Sequence, residues 1–262
     1  MSAPKPDLVI PCLGKDSELA GPLSAIEGQR QHLGRVILVD DGSDPPLSPP
    51  SWVECHRNER PPDYRGAGFA RNLGADLATS DWLLFMDHTV YLPHDALASM
   101  VRTAEELYRD ELNLCITIPC IFLEGDPDPD LEVELQKQRK AGKVTALVED
   151  LNTERVFREH TVAMMPRAYF QKLKGYDTDT FKHWGLEGTD FSVRVDATGG
   201  YLFSAVPRLS TGKRLVCYHA WHDGDRNVVL RQDEWLSKWG DISGGGAGRM
   251  NTLLRNRARA NQ

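Results

Sequence analysis

Two apolar runs in this chain stop abruptly in acid: RVILVDD, which ends at Asp40 and Asp41, and WLLFMD, which ends at Asp87. A short unbroken run of β-branched, aliphatic and aromatic residues is too apolar for a half-exposed strand and too short for an ordinary helix. Each therefore reads as a strand buried on both faces, as in a parallel sheet. Carboxylates set directly after such strands stand at the C-terminal edge of the sheet, where open α/β folds bind ligands. DLVIPC at 7–12 is a first strand of the same kind, VECHRN from Val53 a short third one, and LCITIPCIFL at 114–123 a further strand. Helical patterns alternate with them: Ser17 to Leu33, then 68–78 with Phe69, Leu73 and Leu77 on one side, then 92–110 with Pro93 near its start. The link DPPLSPPSW at 44–52 has too many prolines for regular structure. This βαβαβ order predicts an α/β fold: one Rossmann-like domain with a mainly parallel central sheet.

At 262 residues the chain has the length of one large domain, and its 40% hydrophobic and 26% charged content excludes disorder and membrane burial. A net charge of -7 disfavours a nucleic-acid partner. No run approaches the roughly 20 apolar residues of a membrane span, and the N-terminus has no signal-peptide pattern, so no integral membrane segment and a cytoplasmic location are expected. Five cysteines without a CxxC pair read as reduced, mostly buried thiols.

GDPDPD at 125–130 is a turn that divides a nucleotide-binding half, 1–123, from an acceptor and catalytic half, 124–222. In the second half, 131–143 is charged and helix-prone, and 164–177 reads as a strand end, a helix and a glycine stop. The segment 223–262 carries SGGGAG at 243–248 and then arginines from Arg249 to Arg259. It is expected to be flexible, either as a solvated terminus or as an active-site flap whose arginines reach a diphosphate.

The chemistry-bearing residues fall into four groups. Asp40 and Asp41 either hydrogen-bond a ribose or a base imide from the sheet edge, or build an Asx turn with Gly42 and Ser43. Asp87, His88 and Thr89 either hold a divalent cation or form a turn; oxygen ligands suit Mg2+ or Mn2+, and an imidazole moves the preference toward Mn2+. CYHAWHD at 217–223 adds His219 and His222 as late metal ligands, with buried, hydrogen-bonded histidines as the alternative. Glu187 and Asp190 open a helical pattern, where the dipole favours carboxylates in any case, and a sugar-transfer reaction needs one carboxylate to take a hydroxyl proton. Trp184 offers an apolar face on which a pyranose can stack.

Together, VDDGS, GFARNLGADLATSDWLLFMDHT and WGLEGTDFSVR resemble the GT-A-fold family 2 glycosyltransferases and their polypeptide N-acetylgalactosaminyltransferase and galactosyltransferase relatives, over roughly residues 7–222. The order of these motifs carries the resemblance. It implies a nucleotide-sugar donor, a UDP-sugar, and the hydroxyl of a glycan, glycolipid or other acceptor. It further implies Asp41 near uracil with Pro11 bordering the base, Arg71 and Asn72 near the nucleotide, and Asp87 on a metal-bound diphosphate. His88 and either His219 or His222 would complete the site for Mn2+ or Mg2+. Two departures stand out. The family's Asp-x-Asp is Asp87-His88-Thr89 here, and the Glu-Asp pair of inverting relatives is replaced by Glu187-Gly188. WGLEGTD is instead similar to the WGGExxE form of retaining relatives, which leaves the stereochemical outcome open. A non-catalytic nucleotide-sugar-binding module is the alternative. A sugar nucleotidyltransferase is a weaker one, since no glycine-rich, basic N-terminal loop is present.

Overall fold

The computed structural model describes residues 4–59, 61, 63, 64, 66–107, 113–118, 120–123, 161–183, 186–198, 210, 215–220, 237 and 238. Four buried or edge segments run parallel: β1 (Asp7–Cys12), β2 (Val36–Asp40), β3 (Glu54–Arg57) and β4 (Trp82–Met86). They form a sheet with β8 (Val162–Pro166) and β6 (Ile116–Thr117), in the order β3-β2-β1-β4-β8-β6. β8 is antiparallel to both of its neighbours, so it alone runs against the other five strands. A second sheet, ordered β5-β9-β7, joins β5 (Val90–Tyr91), β9 (Cys217–Ala220) and β7 (Cys120–Leu123).

Successive residues of a strand point to opposite faces, and the core divides accordingly. Leu8 and Ile10, Leu38, and Leu84 and Met86 pack with α1 (Asp16–Glu27) and α3 (Ala96–Leu107). Val9, Ile37 and Val39, and Leu83 and Phe85 pack with α2 (Gly68–Leu77), α4 (Arg167–Lys172) and α5 (Leu186–Ala197). The sheet is thus covered on both sides, which is why its central strands are apolar without alternation.

Three sequence expectations change. The run 114–123 is not one strand but two, β6 and β7, in different sheets. Pro119 lies between them, and proline lacks the N–H that a continuous ladder requires. The helix expected to reach Leu33 stops at Glu27, followed by a 3₁₀ turn at Arg30–His32; Gln29 is buried there, its amide donating to Ala25 and Pro93 carbonyls and accepting from the Leu97 N–H. The helix expected over 92–110 begins only at Ala96, whose N–H bonds the Pro93 carbonyl. The expected turn at 125–130 and helix at 131–143 lie outside the described residues. All five cysteines are free, and Cys12, Cys115 and Cys217 are buried. Among the described residues no helix is long and apolar enough to cross a membrane.

Two contacts fix this arrangement below the site. Asp7 accepts from the Arg35 N–H at 2.7 Å with one oxygen and from the Thr79 and Ser80 N–H groups at 2.7 and 2.9 Å with the other, pinning the entries to β2 and β4 onto β1. Gly74 of α2 lies against β1: a Cβ there would stand 2.3 Å from Val9 Cγ1 and 3.3 Å from Val39 Cγ2. Gly74→Ala is therefore expected to destabilise the fold by about 1–3 kcal/mol, read as a lower urea midpoint with an unchanged slope.

Candidate functional site

The sheet places its reactive groups at one edge. β1 pairs with β2 as far as Cys12↔Asp40, but with β4 only from Asp7 to Val9, so β1 and β4 part toward their C-terminal ends. The chain turns to β2 on one side of β1 and to β4 on the other, which makes this gap the switch point of the sheet. Pro11 is buried in β1 beside it, past the last β4 partner, where its missing N–H breaks no ladder bond on that side.

The two aspartates of VDDGS have different tasks. Asp40 is 1% exposed; its carboxylate accepts from the Ser43 N–H at 2.8 Å, the Leu47 N–H at 3.3 Å and Arg57 Nη1 at 2.7 Å. The Asx turn is therefore formed, with Gly42 at φ +94 closing it, and Asp40 is engaged within the turn rather than presented from it. Burial alone would raise the Asp40 pKa, but the bonds from Ser43 and Leu47 and the charge of Arg57 outweigh it and hold the carboxyl below its ordinary range. Asp41 is the residue at the edge. Its N–H bonds the Cys12 carbonyl at 2.7 Å, and its Oδ1 accepts from Asn58 Nδ2 at 2.6 Å. Sequence reading missed Asn58, although an Asn directly after the β3 strand, level with Asp41, was the available signal.

Arg71, in the first turn of α2, is the centre of the site. It is 7% exposed, its Nη2 donates to Asp87 Oδ1 at 2.6 Å, its Nη1 lies 3.8 Å from Glu187 Oε1, and the guanidinium carbon stands 5.2 Å from the centre of the Tyr176 ring. Burial acts to lower its pKa, yet the charges of Asp87 and Glu187 outweigh it and raise the value above that of a free arginine. Among the described residues no group bonds Asp87 Oδ2, and the Asp87 side chain is 24% exposed. One oxygen is thus fixed by Arg71 while the carboxylate still reaches the edge. Asn72, the next residue, is engaged with backbone: Nδ2 donates to the Tyr176 carbonyl and Oδ1 accepts the Tyr176 N–H, both at 2.9 Å. The turn it holds contains Gly175 at φ +62, and a Cβ there would stand 2.6 Å from Asn72 Oδ1.

Glu187 and Asp190 lie one turn apart on α5, with exposures of 2% and 0%. Glu187 Oε1 accepts the Ala67 N–H at 3.3 Å, just ahead of α2, and so closes the site over Arg71. Buried Tyr64 lies beside it, its phenol pKa raised by burial first and then by the Glu187 charge. Asp190 is turned into an ion-pair network, with Arg194 Nε at 2.9 Å and Lys238 Nζ at 2.8 Å. Of the carboxylates expected at the centre, Arg71 therefore gathers Asp87 and Glu187, and Asp190 faces elsewhere. Tyr64, Tyr176 and Lys238 carried no sequence signal, and Arg194, the last residue of WGLEGTDFSVR, carried none of its own, because each matters only through a neighbour that the fold supplies.

β9 brings the late histidine segment to the residues after Asp87, with His219 opposite Val90. His219 is extended rather than helical, 6% exposed, and its Nε2 lies 3.1 Å from Thr89 Oγ1. His88 is half-buried beside the loop after β1: a Cβ on Gly14 would stand 3.5 Å from His88 Nε2. Among the described residues no three acidic, cysteine or histidine side chains converge as a complete metal set. Trp184 and His222 lie outside the described residues.

The model of glycosyl transferase family 2 matches residues 7–174, well over half of the chain. The chain belongs to this family. Its fold is GT-A. The model described as the N-terminal domain of galactosyltransferase matches residues 149–220. Similar solved structures include GalNAc-T7 with UDP, GalNAc and Mn2+, at 16% identity and a TM-score of 0.62, covering 98% of this chain and 55% of that one. S. aureus TarS 1-349 is 14% identical, with a TM-score of 0.57 and coverage of 98% and 71%. The mannosyltransferase PcManGT from Pyrobaculum calidifontis, in complex with GDP-Man and Mn2+, is 15% identical, with a TM-score of 0.56 and coverage of 98% and 70%. The chain thus spans about half the length of GalNAc-T7. Among curated proteins none matches it.

The Asp40 turn of this family 2 chain makes stability depend on pH. A carboxyl whose native pKa is depressed contributes stability in full above its unfolded pKa of about 4 and loses it as pH falls through the lower native value. The stability gap between the natural chain and Asp40→Asn is therefore expected to narrow as pH is lowered from about 7 to about 3, measured by urea unfolding at each pH.

Proposed function

We propose that this chain moves a hexose or N-acetylhexosamine from a nucleotide-sugar donor, a UDP-sugar, to an acceptor hydroxyl of a glycan, glycolipid or similar molecule. The observation that carries the reading is the Arg71 guanidinium, 2.6 Å from Asp87 and 3.8 Å from Glu187, which joins a carboxylate of the sheet edge to one on α5. Asp41, held by Asn58, recognises the base, which Pro11 borders. Glu187 receives the proton of the acceptor hydroxyl or orients it, while Trp184 supplies a stacking face for the sugar. Asp190, already paired with two cations, supports α5 instead of acting on the hydroxyl.

The donor set suits a divalent ion in part: Asp87 offers a hard oxygen at the edge, and His88 with a late histidine, His222 in preference to the Thr89-bonded His219, would complete it. Mn2+ or Mg2+ bound there would neutralise charge on the departing nucleoside diphosphate. UDP with Mn2+ in GalNAc-T7, and GDP-Man with Mn2+ in PcManGT, support this assignment. Free thiols, three of them buried, fit a cytoplasmic setting.

Glu187→Gln is expected to lower kcat by roughly 10²–10⁴-fold while UDP binding by calorimetry is retained. Asp87→Ala and chelation are each expected to abolish Mn2+-dependent transfer, and restored Mn2+ should recover only the natural chain. Full activity of either variant would overturn its assigned role; UDP binding without turnover by the natural chain would mark a non-catalytic binding module.

A further inference from the structure

Lys238 lies in the segment after the last histidine, far along the chain from Glu187 and Asp190, yet its ammonium bridges two carboxylates beside the site. Nζ is 2.6 Å from Asp177 Oδ2 and 2.8 Å from Asp190 Oδ1, and it stands 5.4 Å from the centre of the Phe181 ring. The Asp190 side chain is 0% exposed. Its second cation, Arg194, also donates through Nη1 to the carbonyls of Leu173 and, at 2.7 Å, Gly175. Lys238, Asp177, Asp190 and Arg194 thus place two positive against two negative charges around one junction. That junction joins the first turns of α5, which carry Glu187, to the turn at Lys174–Gly175, both at positive φ, whose next residue Tyr176 lies on the face of Arg71.

We infer that Lys238 is a positioning residue for Glu187: it clamps the start of α5 to the 175–177 turn and couples the C-terminal segment to the geometry of the transfer step. This rests on the role of Glu187 given above. Lys238 acts through Asp190 and Asp177, the two carboxylates that its ammonium bridges. Removing the ammonium takes a cation from both Asp177 and Asp190, beside the helix that carries Glu187. A lysine is suited to the bridge because its ammonium donates to two carboxylates in different directions.

The experiment is steady-state kinetics of Lys238→Met and Lys238→Arg beside Glu187→Gln, using UDP-sugar donor and Mn2+, with UDP affinity measured by calorimetry. Misplacement of a reacting group by a fraction of an ångström predicts that Lys238→Met lowers kcat about 10- to 100-fold, keeps the donor KM within about twofold, and is substantially restored in Lys238→Arg. Unchanged kcat in Lys238→Met, a parallel loss of UDP affinity, or an arginine variant as slow as the methionine variant would each overturn the inference. Should Lys238→Met fail to fold, Asp177→Asn removes one arm of the bridge and is expected to lower kcat about threefold with unchanged donor KM; no change would again overturn it. Loss of transfer in Glu187→Gln with normal kcat in Lys238→Met refutes this inference alone, whereas full activity in Glu187→Gln refutes the reading beneath it.

Discussion

A guanidinium withdrawn from water cannot shed its proton, so it must be met by anions or the fold does not close. Arg71 imposes that condition. At 7% exposure it draws Asp87 from the end of β4 and Glu187 from the start of α5 to opposite parts of one planar group, with the Tyr176 ring as a further wall. Fixing Asp87 Oδ1 in this way orients the carboxylate at the sheet edge without exhausting it. The same residue that closes the fold therefore also sets the spacing between the sheet edge at Asp87 and the start of α5 at Glu187.

The sheet supplies the place for this meeting. Pairing of β1 with β4 ends at Val9, whereas pairing with β2 runs on to Cys12, and the resulting gap opens where the topology reverses. Below it the structure is rigid: Asp7 ties three backbone N–H groups to β1, and Gly74 lets α2 approach the strand to a distance that a methyl group would block. Rigidity beneath and separation above let loops carry the chemistry while strands fix their origins. The small sheet adds a second route of the same kind, since β9 pairs with β5 and carries His219 to Thr89.

Beside α5, order comes from polar contacts to a single turn. Asn72 holds Tyr176 from α2, Arg194 holds Leu173 and Gly175 from α5, and Lys238 holds Asp177 from the C-terminal segment. Three elements remote in sequence thus share one short stretch of backbone. Burial raises the stakes of each contact, because an unpaired charge there costs more than an exposed pair returns.

Much of the architecture was already legible in the chain. Runs such as VILVD and WLLFM are one-dimensional signals: their apolar length sets them in a covered parallel sheet, and the acidic residues that follow must then emerge at its edge. VDDGS, ARN and WGLEGTD likewise marked Asp41, Arg71 and Glu187. What the tertiary structure decided was how those groups are used. Asp40 and Asp41 are adjacent and chemically identical, yet one is consumed by its own turn and the other is held by Asn58; Glu187 meets Arg71 and the Ala67 N–H, whereas Asp190 meets Arg194 and Lys238. The split of 114–123 into two sheets follows Pro119 but required a second partner strand to become visible. Such choices depend on electrostatic and hydrogen-bond partners supplied from distant parts of the chain, and local pattern determines where a side chain emerges without determining what it meets.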